Sequence, residues 1–308
     1  MKLKKLGNLD IGWIAYLLPA LLFYVLFMAW PLLDSLRISL YTGSAGVGRT
    51  FVGLENFKKL FTVEQYSERY WGALAHTFIF FGINMIMQNW LGIFFAFLLT
   101  NKGMKGSEFY HTVIFLPTTL AILITGFLWK LLLNPVWSGP FLNSIHLGFL
   151  VRPWMGDAKT ALICVTLVSC WQWIGIPVMV FVAALRGISE DYIEAATIEG
   201  AGNAQIFWKI KLPLLLPMVG IIAILTFVNN FNAFDVVYSM SNANGAPSYA
   251  TDLIGTLFYR LGIAGQHPVG IPEPGMGAAV ATITFFVLCL GVIPTLRITQ
   301  RDDRGGAS

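Results

Sequence analysis

From Gly275 to Leu296 the chain runs without one charged side chain. A helix needs about 20 mostly apolar residues to cross roughly 30 Å of hydrocarbon, so this run is long enough to span a bilayer. It is not alone: similar runs recur between short polar stretches, and a lipid-embedded helix is the element that satisfies every backbone donor and acceptor within itself. Composition agrees. Of the 308 residues 56% are hydrophobic and 12% charged, about half the charged share of ordinary soluble domains. A water-soluble enzyme is excluded on these grounds.

Six spans are predicted, near 11–36, 72–100, 109–133, 160–186, 212–240 and 276–297, giving an all-α membrane protein with one transmembrane domain over 1–308. The run after Ile11 follows Lys2, Lys4 and Lys5 as a signal peptide would, but it is too long for a signal core of roughly 7–15 residues and no A-x-A site follows. It is expected to remain as the first span. Six crossings place both termini on one side, and the positive charges choose which. Lys2, Lys4, Lys5, Lys102, Lys105, Arg186, Lys209, Lys211, Arg297, Arg301 and Arg304 crowd the tails and the two loops predicted to share their side. Arg37, Arg49, Lys58, Lys59, Arg69, Arg152, Lys159 and Arg260 are spread over longer opposite loops. The termini are therefore expected in the cytoplasm. Lys130, beside Trp129 near a span end, is read as snorkelling to the interface.

Other chemistries lack their residues. Cys164, Cys170 and Cys289 sit in apolar runs without paired spacing, and His76, His111, His146 and His267 are scattered. No metal site, catalytic residue or basic block for nucleic acid is expected. A secondary transporter or channel would call for ionisable groups at mid-membrane, and Asp34 and Asp235 fall toward predicted outer ends. An intramembrane enzyme would need a Ser/His pair, an H-E-x-x-H or an aspartate dyad at membrane depth.

The loop 187–211 is the most informative stretch. Ser189 suits a helix N-cap, Glu190 and Asp191 suit the first turn, and Gly200 suits the left-handed residue that ends a helix. A short helix is predicted there, then a second turn over 204–210 leading to Pro213. Small Ala195, Ala196 and Gly200 would allow close approach of another protein, with Glu194 and Glu199 as polar anchors. Amphipathic interfacial loops are common, and physics alone leaves both readings open.

The spacing Glu194-Ala195-Ala196-x3-Gly200-x9-Ile210-x-Leu212-Pro213 resembles the EAA signature of permease subunits of binding-protein-dependent ABC importers. The resemblance implies a cytoplasmic coupling-helix loop between spans four and five, with Glu194, Ala195, Ala196 and Gly200 docking on an ATPase subunit. Phe51-Val52-Gly53-Leu54-Glu55-Asn56-Phe57, Phe115-Leu116-Pro117, Thr251-Asp252-Leu253 and Phe258-Tyr259-Arg260 look like the sugar branch, on the side of the maltose transporter's larger permease subunit in a minimal six-helix form. Glu199-Gly200 stands where that branch has Asp-Gly, and Asn244-Gly245-Ala246-Pro247 where it has Gly-Gly-Pro. Implied partners are a second permease, two cytoplasmic ATPases, a periplasmic or lipid-anchored solute-binding protein and membrane lipid, in a prokaryotic inner membrane. The chain itself is expected to hold no cofactor: it has no G-x-x-x-x-G-K-[ST] loop, so ATP and Mg belong to the ATPase.

For the solute path, polar residues inside spans are costly and face the bundle interior. Thr226, Asn229 and Asn230 form such a set on the fifth span. By resemblance, Gln172, Gly175, Val178, Thr226, Asn230 and Ala233 occupy pathway positions for a hydroxyl-rich solute. Asn84, Gln88 and Asn89 are read as interhelical hydrogen-bond partners.

Overall fold

The computed structural model describes residues 11–43, 48–101, 103–266 and 270–305, with side chains between 16 and 297. Lys2, Lys4, Lys5, Lys102 and His267, and the side chains of Arg301 and Arg304, lie outside the described residues. The first helix, α1, runs over 11–38 and contains a π turn at Val25–Ala29. Two-residue strands β1 (Tyr41–Thr42) and β2 (Thr50–Phe51) pair antiparallel. There follow α2 (Glu55–Thr62), α3 (Glu64–Leu99), α4 (Ser107–Phe115, prolonged by a 3-10 turn at Leu116–Thr119), α5 (Ile122–Leu132) and α6 (Pro135–Ser144). Next come α7 (Ala158–Trp173), α8 (Gly175–Arg186), α9 (Glu190–Ile198), α10 (Asn203–Phe231), α11 (Asp235–Ser241), α12 (Ile254–Ala264) and α13 (Pro274–Gly305).

Four helices are long and apolar enough to cross a membrane unbroken: α1, α3, α10 and α13. The count reaches six if α4–α5 and α7–α8 each form one span, and these pairs are bent by 98° and 43°. The expected continuous span 109–133 is therefore corrected to a sharply broken one. Pro117 removes a backbone donor there, and Leu120 and Ala121 are extended between the two helices. In the fourth span Pro177 cannot donate to the carbonyl of Trp173, and the bend falls between them.

The fifth span also departs from 212–240. It begins earlier, because the turn expected over 204–210 is continuous with it through a π turn at Phe207–Lys211. Leu212 N–H donates five residues back to Phe207 O just before Pro213, as Trp30 N–H donates to Val25 O just before Pro31. In each case the wide turn sits where the proline has no donor to offer. The span ends at Phe231, and a kink through Asn232–Phe234 separates it from α11. Gly255 of α12 closes on that kink: a Cβ there would lie 2.4 Å from Ala233 O.

The core follows α3. Toward one end Ile93, Ala96 and Leu99 pack with Val178, Phe181, Val182 and Leu185 of α8 and with Leu215 and Ile222 of α10. Midway Phe80 packs with α7 and α11. Toward the other end Tyr70 and Ala73 pack with Leu257 and Leu261 of α12 and Ala279 and Val280 of α13. Arg260, read as an outer-loop charge, is in fact fully buried, its Nη2 donating to Asp252 Oδ2 at 2.6 Å. Thr256 donates to the other Asp252 oxygen. Burial pushes the Asp252 carboxyl above its ordinary value, against the pull of Arg260.

Candidate functional site

Two cavities lie at different levels of the bundle. The first, about 410 Å³, opens where α10 kinks into α11 and is bounded by α3, α5, α7 and α8. The kink turns polar groups of successive turns into one space. Asn229, Asn232 and Asp235 are exposed there, while Thr226 and Asn230 are buried at its back wall. Apolar and aromatic walls complete it, notably Phe80, Trp173 and Phe234.

Hydrogen bonding separates the amides. Asn230 Nδ2 donates to Thr226 O at 2.6 Å, and its Oδ1 accepts from Asn84 Nδ2 at 2.9 Å. Asn84 Oδ1 in turn accepts from Gln88 Nε2 at 3.3 Å. Asn232 donates to Val228 O. Among the described residues no hydrogen bond engages the Asn229 side chain, so its whole donor and acceptor capacity faces the cavity.

Of the pathway positions expected from sequence, Thr226, Asn229, Asn230 and Ala233 line this cavity. Gln172, Gly175 and Val178 are buried behind it. Gln172 Nε2 donates to Leu120 O at 3.0 Å, satisfying a carbonyl freed by the break in the third span. Gly175 lets that span pass close: a Cβ would stand 2.6 Å from Thr118 Oγ1 and 3.0 Å from Phe115 Cα. Val178 packs into the core with α3. Asp235 and Trp173 line it too; both belong to the polar and aromatic groups that the sequence places on the fifth and fourth spans, though the resemblance did not single them out.

The second cavity, about 500 Å³, lies between the ends of α3, α8 and α10 and the short α9, with Thr100, Asn101, Arg186, Glu190, Glu194 and Lys211 on its walls. The sequence builds α9 as expected. Ser189 Oγ accepts from Asp191 N, and Glu190 and Asp191 occupy the first turn. At the other end Gly200 takes φ +84°. Gly200 N–H donates to Thr197 O and Ala201 N–H to Ala196 O, the paired bonds of a Schellman end. The helix buries none of its residues; Ile198 is 87% exposed and Tyr192 61%. Glu194, Ala195 and Gly200 are exposed and Ala196 half-buried, and the space a Gly200 side chain would enter is empty to 4 Å. Apolar groups held out on a capped helix suit contact with another protein or with a membrane interface.

No group of three or more His, Cys, Asp or Glu that could hold a metal occurs among the described residues.

Residues 88–299 match the family described as "Binding-protein-dependent transport system inner membrane component". A multiple sugar-binding transport system permease protein of Streptococcus mutans is 28% identical over 97% of each chain. An sn-glycerol-3-phosphate transport system permease protein of Pectobacterium atrosepticum is 31% identical over 82% of this chain and 85% of its own. In structure the fold resembles a chain of a bacterial ABC transporter involved in the import of the acidic polysaccharide alginate, with TM-score 0.79 and 21% identity over 95% of this chain and 97% of that one.

Proposed function

Because this chain belongs to the binding-protein-dependent transport system inner membrane components, a family of ABC importer permeases, we propose that it lines part of an import path for a carbohydrate or related polyhydroxy solute. The kink cavity supports this reading: free amide and carboxylate groups share its walls with the aromatic rings of Phe80, Trp173 and Phe234, which suits a ring with hydroxyls at its rim and C–H groups on its faces. A second permease supplies the facing half, a solute-binding protein delivers the solute, and two ATPases hydrolyse ATP. The chain sits in a prokaryotic inner membrane with both termini cytoplasmic.

Coupling runs through α9. The observation that carries it is a helix capped at both ends, with none of its residues buried and a left-handed glycine facing empty space. Glu194, Ala195, Ala196 and Gly200 form its docking face, and Glu194 pairs with a basic group on the ATPase. Its link to the pathway is covalent and short, since α9 is joined through a tight turn to α10, whose far end forms the cavity wall. Moving α9 thus shifts α10 as a unit, provided the ATPase contacts differ between its two states.

Glu194→Lys reverses the docking charge, and Gly200→Asp forces a side chain into the left-handed region. Each is expected to leave the complex assembled in the membrane and the binding protein able to hold solute, while abolishing uptake and solute-stimulated ATP hydrolysis. Full ATPase occupancy with normal stimulated turnover in both purified variant complexes would remove the coupling role.

A further inference from the structure

Kinship leaves the solute's charge open, because the relatives' names span sugars, a phosphate ester and an acidic polysaccharide. The cavity does not. Among the described residues Asp235 is its single ionisable wall residue, and no Lys, Arg or His lines it. Asp235 has no ion-pair partner among the described residues and is exposed at the α11 start. Of the neighbouring elements, α5 carries Lys130, but that residue lies roughly two turns beyond the wall residue Ile122 and does not reach the cavity. The adjoining polar groups, Asn229 and Asn232, are neutral, and the remaining walls are largely apolar. A carboxylate between low-dielectric walls keeps its field, and an anion entering would meet repulsion with only neutral amide and hydroxyl donors, and no cation among the described lining residues, to offset it.

Resting on the pathway reading above, the geometry points to a charge filter: Asp235 makes this half of the path selective for neutral or cationic polyhydroxy solutes and against uronates and sugar phosphates. Asn229 and Asn232 read hydroxyls beside it, and Trp173 and Phe234 offer faces for the ring.

The test uses the assembled transporter in membrane vesicles, with Cys164, Cys170 and Cys289 replaced by Ala and a reporter thiol introduced as Asn232→Cys. Labelling rates are taken with a cationic trimethylammonium-ethyl and an anionic sulfonato-ethyl methanethiosulfonate, each divided by its rate on a free thiol. The ratio cancels any effect of the carboxylate on the thiol's own ionisation. The cationic reagent is expected to be favoured by about tenfold, within the range of electrostatic focusing in clefts, and Asp235→Asn should bring the ratio near one. A ratio near one with Asp235 present overturns the charge filter and leaves the pathway reading standing. No labelling by either reagent removes the pathway reading itself. In parallel, vesicles are offered a neutral trisaccharide, a uronate trisaccharide and a hexose phosphate. Uptake confined to the neutral sugar is expected, and ATP-dependent uptake of either anion through the Asp235 transporter overturns the proposal.

Discussion

Asn229 and Asn230 are chain neighbours with different tasks. Asn230 is spent on the protein, bonded to Thr226 O and to Asn84, whereas Asn229 is exposed to the cavity and unbonded among the described residues. A buried interhelical bond of this kind contributes about 0.6 kcal/mol on average, with a maximum near 1.7. Asn230→Leu is therefore expected to lower the unfolding midpoint of the purified complex by about 1–2 kcal/mol equivalent, while Asn229→Leu leaves the midpoint unchanged and cuts solute uptake several-fold. Thermal unfolding and uptake by the same preparations separate the two, and unaltered uptake in Asn229→Leu would strip that residue of its role. The sequence marked both asparagines as interior. It could not say which one a neighbouring helix had already claimed, because Asn84 is remote in the chain and only packing brings it to Asn230.

At the scale of elements, hydropathy found where helices lie in the chain but not where they break. Its average over a span barely registers one missing N–H, yet Pro117 and Pro177 mark both broken spans, and Gln172 is placed to satisfy Leu120 O at the sharper one. The short α9 was more legible, since its caps are local chemistry: Ser189 and Gly200 act within a few residues of themselves. Arg260 shows the opposite case. Asp252, Thr256 and Arg260 recur at four-residue steps on one face, a pattern that signals a network, but counting charges by loop treated Arg260 as exposed. The pair fastens α12 to the segment before it, and the junction of the two is held to α3 through Ile254 N–H donating to Thr77 Oγ1 and a contact of His76 with Asp252 O. Removing one partner leaves a buried uncompensated charge, at a cost of about 3–5 kcal/mol. Asp252→Ala should accordingly destabilise the complex severely, and Arg260→Met added to it should recover most of the loss. Chemical denaturation of single and double variants checks this, and equal destabilisation by both would mean the ion pair is not the fastening.

For the whole molecule, geometry leaves one question of path: whether each bent pair crosses the bilayer or enters and returns. If α4–α5 crosses, Lys105 and Gly156 lie on opposite sides; if it re-enters, they share one. Packing brings the ends of α3, α8 and α10 together around the second cavity, so Lys105, Arg186, Lys209 and Lys211 gather near one end. Toward the other end of α3, Tyr66 donates to Glu273 at 3.0 Å and the Arg69 guanidinium stands 3.9 Å from the Tyr249 ring. Dense positive charge favours the cytoplasmic side, so the α9 end is expected there. The segment 243–265 is a poor place for a reporter, because Thr251, Leu253, Ile254 and Arg260 are buried, whereas Gly156 and Asp157 are exposed in the turn before α7. Fusions of an enzyme active only in the cytoplasm should therefore be active after Lys105 and after Ser308 and inactive after Gly156. Activity at Gly156 together with Lys105 would make α4–α5 a re-entrant pair and overturn the six-crossing path, and a reversed pattern, active at Gly156 and inactive at Lys105 and Ser308, would overturn the proposed cytoplasmic placement of α9.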